Sequence, residues 1–378
     1  MKQRFASSAA LIAAGAFALT ACGSDAGQTS SSSPTTTSGS GASSAPATTS
    51  GGALSGTLAG GGASSQESAM EAWRAGFGEA NSGVTVDYEP VGSSGGREQF
   101  LAGGFDFAGS DAALDDEELA SGKERCTGGD AIDLPLYISP IAVIYNLEGV
   151  DELNLAPEVI ADIFNQKITK WNDPAIAALN EGTELPDLDI TPVNRGDGSG
   201  TTENFTDYLA DTAGKKWPYE ADSEFPVKGG EAAQGTSGLV DAVKGGNGTI
   251  GYADFSRSTG LGVANIQIGE EFVAPSPEGA AALVESADRE SGRPTGDITL
   301  DLPRDTKDTS QYPITLVTYS IVCTSYTDAA KGDLVKGFFT YIASEEGQAA
   351  AAENAGSAPL SESLRTDVMT AVSAIKAG

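Results

Sequence analysis

The stretch Asn194 to Thr202, Asn-Arg-Gly-Asp-Gly-Ser-Gly-Thr-Thr, sets one guanidinium, one carboxylate and three hydroxyls among three glycines. A turn needs the glycines but not the charges. Arg195 offers a planar fork of donors that matches an oxyanion, and Asp197 can orient that fork through an ion pair. Ser199, Gly200 and Thr201 then lead into an amphipathic segment, so they sit at a helix start with unpaired backbone N–H groups and a positive dipole end. Two further loops share this design: Gly60 to Gly62 with Ser64 and Ser65, and Ser93 and Ser94 with Gly95 and Gly96. Glycine lets the backbone approach a ligand and hydroxyls add donors, a combination that makes an anion pocket. The same residues also serve as plain helix caps. Their recurrence in three loops, one carrying Arg195, points to a tetrahedral oxyanion.

The residue inventory removes most other chemistry. The chain has no histidine and three cysteines. Gly92 to Gly96 (Gly-Ser-Ser-Gly-Gly) fits the G-x-S-x-G nucleophile pattern, but a Ser-His-Asp relay cannot be assembled without histidine. Histidine-based zinc sites are impossible and three cysteines cannot make a four-cysteine site. No G-x-x-x-x-G-K-[ST] occurs, which excludes a P-loop. No metal, cofactor or catalytic residue is expected.

These loops need strands and helices to hold them. Leu54 to Leu58 and the alternating Val84 to Val91 are predicted strands. Met70, Trp73 and Phe77 predict an amphipathic helix over Ser65 to Ala80. Phe105 to Asp111 is a short strand ending in a polar loop, and Leu134 to Leu147 is one long apolar strand or a strand pair. Helix over Pro157 to Asn165, strand before Asn194 and strand at Thr249 to Phe255 follow. Tyr312 to Cys323 is a buried strand before two helices, Asp328 to Ala343 and Ser361 to Lys376. Asp288 to Thr309, charged and poor in large apolar residues, is expected to be a loop. The alternation predicts an α/β fold with ligand at strand C-termini.

Residues 1–21 have the basic start, short apolar run and small residues of a secretory signal. Cys22 follows Leu19-Thr20-Ala21, the pattern of a lipidated bacterial cysteine. Residues 22–53 are Ser/Thr/Gly/Pro-rich and are expected to form a disordered tether of mean span roughly 30 Å. The remainder is long enough for two domains. Net charge is −31, with 53 acidic against 22 basic residues, which argues against nucleic acid and anionic lipid as partners. Cys126 and Cys323 remain in an oxidising compartment, where a disulfide is expected; two separate buried thiols are the alternative.

Gly-Ser-Ser-Gly-Gly (92–96), Phe-Asp-Phe-Ala-Gly-Ser-Asp (105–111), Lys-Ile-Thr-Lys-Trp-Asn-Asp-Pro-Ala-Ile (167–176), Arg-Gly-Asp-Gly-Ser-Gly-Thr (195–201) and Gly-Thr-Ile-Gly-Tyr-Ala-Asp-Phe (248–255) occur in that order. With them the chain resembles the phosphate-binding component of bacterial high-affinity phosphate ABC importers, the PstS family, over nearly all of 54–378. The resemblance implies a two-lobed periplasmic-binding-protein fold that closes on one dehydrated phosphate and passes it to membrane permease subunits. It implies lobe I from 54–137 plus 312–378 and lobe II from 138–311. Carried over by position, the ligand contacts are Ser64, Ser65, Ser93, Asp111, Arg195, Ser199, Gly200 and Thr201, with Asp197 supporting Arg195. The family usually has Thr followed by an aromatic where this chain has Ser64-Ser65, so Ser65 is expected to contribute only its backbone N–H. Asp111 would accept a hydrogen bond from a protonated phosphate and repel a fully deprotonated dianion such as sulfate. The competing functions are binding of another oxyanion and a secreted phosphatase-like hydrolase. The protein is expected to be a monomer tethered to the membrane through Cys22.

Overall fold

The computed structural model describes residues 54–378, which form one compact unit; the signal, Cys22 and tether expectations lie outside them. Among the described residues no helix is long and apolar enough to cross a membrane. The fold is built on a nine-stranded mixed sheet. Its order is Val84–Glu89, Gly56–Gly62, Phe107–Ser110, Thr315–Cys323, Ala131–Asn146, Thr249–Asp254, Thr191–Arg195 and Glu231–Ala233, with Gly262–Val263 pairing off the path. The outer strands are parallel to their neighbours: Gly56–Gly62 to both of its partners, and Thr191–Arg195 to both of its own. The three central pairings are antiparallel.

Ala131–Asn146 is a single strand, buried at every position but the last. A strand covered on both faces reads as a continuous apolar run, which is why the sequence could not separate one strand from two. It runs unbroken through Tyr137, and its partners divide it. Residues 131–140 pair with Thr315–Cys323 and residues 141–146 with Thr249–Asp254. One strand thus carries the sheet from its first half into its second.

Each half has its own aromatic centre. Phe77, Phe107, Phe338 and Phe339 pack together in the first. Phe164, Phe205, Phe225 and Tyr252 form the second, with Phe205 stacked on Tyr252 at 4.2 Å. The expected helix Glu67–Ala80 buries Met70, Trp73 and Phe77. Its Trp73 indole donates to Gly347 O at 2.7 Å, docking on a helix, Glu345–Ala355, that the sequence reading did not separate. That segment is rich in alanine and offers no large apolar stripe.

The expected loop over 288–309 is irregular for most of its length, with one short strand pair inside it. Asp288–Arg289 pairs with Leu300–Asp301, and the segment carries two largely buried arginines. Arg304 donates to the carbonyls of Pro313 and Thr315 and to Asp207 and Asn204. Charged residues can be buried here because they are paired. Cys126 and Cys323 form the expected disulfide, joining the end of helix Asp116–Arg125 to the end of a central strand.

Candidate anion-binding cleft

Three polar loops follow three strand ends and meet at one place. Ser64 and Ser65 follow Gly56–Gly62, Asp111 follows Phe107–Ser110, and Arg195 ends Thr191–Arg195. Ser93 begins the helix Ser93–Leu101, and Ser199 caps Gly200–Thr212. Ser64, Ser65, Ser93, Asp111, Arg195, Asp197, Ser199 and Thr201 are all buried. Hydrogen bonds tie Ser65, Ser93 and Thr201 to Asp111 and Arg195 to Asp197.

The capping alternative can be tested loop by loop. Ser199 is a true cap, accepting from Thr202 N–H at 3.2 Å. At Glu67–Ala80 and Ser93–Leu101 neither helix start is closed by a side-chain cap, although Ser94 N–H is already given to Gly198 O.

Arg195 is held from both ends. Its backbone N–H donates to the Tyr252 hydroxyl at 3.3 Å, so the aromatic centre of the second half fixes its position. Its Nε donates to Asp197 Oδ1 at 2.8 Å, and its Nη2 pairs with Oδ2. Arg195 Nη1 has no hydrogen-bond partner among the described residues. Burial acts against the charge of Asp197, but the bonds and charge of Arg195 and the Gly235 N–H hold its carboxyl below the ordinary value. The pair stays ionised and the fork keeps free donors.

Asp111 is the opposite pole. Ser65 Oγ and Thr318 Oγ1 both donate to its Oδ1 at 2.7 Å. Thr201 Oγ1 donates to Oδ2 at 2.8 Å. Its N–H donates to Ser93 Oγ at 3.1 Å, and its carbonyl accepts from Asn204 Nδ2 at 2.7 Å. Burial pushes this carboxyl above its ordinary value, while the three hydroxyls and the charge of Arg195 pull it back. Beside the backbone role expected of Ser65, its hydroxyl bonds Asp111.

The two halves touch across the cleft. Ser64 Oγ is 2.9 Å from Thr236 Oγ1 and accepts from Thr236 N–H at 3.0 Å. Ser94 N–H donates to Gly198 O and its hydroxyl to Ser223. The approach is tight enough to demand glycine at Gly200, where a Cβ would lie 2.7 Å from Ser93 Oγ and 2.8 Å from Asp111 Cβ. Gly92, with φ of +89°, faces Asp197 in the same way. Thr318, Thr236, Asn204 and Tyr252 were not named from the sequence. Thr318 lies in the apolar run Thr315–Cys323, where a hydroxyl gives no signal of its own. A register shift between Thr318 and Tyr319 marks the position in the fold.

Comparison with known proteins places this geometry. The PBP superfamily domain model matches residues 42–346. Phosphate-binding protein PstS 3 of Mycobacterium tuberculosis (strain ATCC 25618 / H37Rv) is 36% identical over 381 residues, covering 98% of this chain and 99% of the relative. Phosphate-binding protein PstS of Pasteurella multocida (strain Pm70) is 34% identical over 313 residues, covering 79% and 84%. Among solved structures, a high-affinity periplasmic phosphate-binding protein (PfluDING) bound with phosphate superimposes with a TM-score of 0.69 at 24% identity, covering 83% of this chain and 93% of that one. A phosphate-binding protein from Stenotrophomonas maltophilia gives 0.63 at 22% identity, covering 84% and 94%. At that identity the likeness to the solved structures concerns the fold, which is the two-lobed binding-protein fold expected.

Proposed function

The chain belongs to the PBP superfamily and, within it, to the phosphate-binding PstS proteins, and from that premise we propose how it works as the extracytoplasmic receptor that binds inorganic phosphate and delivers it to an ABC permease for import. The observation that carries the mechanism is the pairing of opposites in one buried cleft. Arg195 keeps an unspent donor, and Asp111 keeps a carboxylate that can accept.

Phosphate sits between them. Arg195, Ser64, Ser93, Ser199 and Thr201 donate to its oxygens, with the backbone N–H groups of Ser65 and Gly200. Asp197 orients Arg195. Phosphate near neutral pH keeps a proton and gives it to Asp111 in a hydrogen bond, so a carboxylate that repels sulfate accepts phosphate. The two lobes, 54–137 with 312–378 and 138–311, close on the ligand, and cross-cleft bonds such as Ser64 to Thr236 belong to the closed form. The chain works as a monomeric carrier, not an enzyme. Among the described residues no group of three or more His, Cys, Asp and Glu is placed to hold a metal ion.

Signal cleavage before Cys22 and lipidation of that cysteine would tether the carrier to the outer face of the cell membrane. Cys22→Ala should then release it into the soluble fraction; a variant that still sediments with membranes excludes this anchor. Calorimetry with phosphate, sulfate and arsenate tests the function. It should give tight phosphate binding and weak sulfate binding. Equal affinity for both would favour a general oxyanion carrier.

A further inference from the structure

Asp111 can discriminate between anions only while it is ionised. A protonated Asp111 would donate to sulfate and lose its acceptor for phosphate. Burial drives it toward that protonated form, so something must hold the charge. Three hydroxyls do so, and they are not equivalent. Thr201 opens the helix Gly200–Thr212 opposite, faces the ligand position, and is the sole side-chain donor to Oδ2. Thr318 comes from the central strand Thr315–Cys323 and is fully buried. Ser65 joins Thr318 on Oδ1.

We propose that Thr318 is a positioning residue for phosphate recognition. With Ser65 it saturates Asp111 Oδ1, which fixes the carboxylate and leaves Oδ2 as the oxygen that takes the ligand's proton. When phosphate enters, Thr201 turns from Oδ2 to a ligand oxygen and the ligand O–H replaces it. The Oδ1 pair stays intact. This rests on the phosphate function proposed above and adds the residue that sets its working pH range. The other charged groups near Asp111 are Arg195 across the cleft and, around a cavity of about 230 Å3 beside it, Glu203, Asp207, Glu290, Asp301 and Arg304. Tyr88 stays neutral, pushed far up by burial. Arg304 is already committed to Asp207 and Asn204. None of these replaces a lost Oδ1 donor.

Thr318→Val keeps the shape and removes the hydroxyl. Losing this hydrogen bond to the charged form raises the pH at which Asp111 takes a proton. The experiment is a titration of phosphate and sulfate on the mature chain from pH 5 to 9. The pH at which the phosphate-to-sulfate preference has fallen tenfold should rise by about one unit in Thr318→Val. Thr318→Ser should restore the wild-type profile. Ser65→Ala, which removes the other Oδ1 donor, should shift it the same way and serves if Thr318→Val does not fold. A profile superimposable on wild type in both variants, or an equal loss for both anions at every pH, overturns the proposal. Wild type with no phosphate preference would instead overturn the function on which it rests.

Discussion

Arg195 and Arg293 are both largely buried and both paired with aspartate, yet they have different amounts left to give. Arg293 Nε donates to Asp297 Oδ1 at 2.9 Å. Its Nη2 reaches Asp133 Oδ2 at 2.7 Å and Asp297 Oδ2 at 3.2 Å, and its Nη1 reaches Leu114 O at 2.6 Å. Every nitrogen is spent. Two carboxylates share one cation there, so burial and the neighbouring Asp297 push Asp133 well above its ordinary value, more than Arg293 can offset. Arg195 spends two nitrogens on one aspartate and keeps Nη1. Asp111, across the cleft, is held by hydroxyls that can rotate, whereas Asp133 is held by a guanidinium that cannot. The first cluster fastens residues 293–297 to a central strand. The second is a site with valence in reserve. Unspent donors on a buried arginine mark binding, and their absence marks structure.

Swapping the consequences would break this contrast. Arg195→Ala should cost phosphate affinity on the order of 3–5 kcal/mol, roughly two to four decades in Kd. The joint variant Arg195→Gln with Asp197→Asn should lose comparable affinity yet melt close to wild type, because no bare charge is left buried. Arg293→Ala should do the reverse. It leaves Asp133 and Asp297 buried without their cation, lowering unfolding stability by about 3–5 kcal/mol. Below its melting temperature its phosphate affinity should stay within about threefold of wild type. Calorimetric binding with thermal melts on the same samples checks all three. An Arg293 variant that melts normally but binds poorly would erase the distinction.

A smaller effect sharpens the same division between frame and site. Cys126 and Cys323, 197 residues apart, are fastened together in the first half of the sheet. Removing the pair should cost about 2–4 kcal/mol of stability while leaving phosphate affinity nearly unchanged. Denaturant unfolding with and without reductant measures it. A large affinity loss at temperatures where the protein stays folded would place the disulfide in the site rather than the frame.

Much of the site was legible because its chemistry sits in loops. Glycines, hydroxyls, Arg195 and Asp197 stand out where a turn needs none of the charges, and the strand-to-helix alternation placed them together. The supporting residues were hidden for a physical reason. Thr318 and Tyr252 lie in strands whose apolar run announces burial and masks a working hydroxyl. Asn204 sits inside a helix, bridging the carbonyls of Asp111 and Gly200, and a polar residue mid-helix reads as surface. Arg293 and Arg304 lie in a charged loop, and pairing across 160 and 97 residues, to Asp133 and Asp207, leaves no local pattern in the sequence. The bond of the Ser65 hydroxyl to Asp111 has no sign in the resemblance, because the family usually carries an aromatic there.

The central claim is that a carboxylate selects the ligand by repelling the wrong one. Phosphate and sulfate titrated at neutral pH into wild type and Asp111→Asn test it most directly. The amide removes the repulsion and can still accept from Thr318 and Ser65. Phosphate affinity should stay within about tenfold of wild type, while the phosphate-to-sulfate ratio falls by about tenfold or more. A ratio unchanged in the variant would contradict the account.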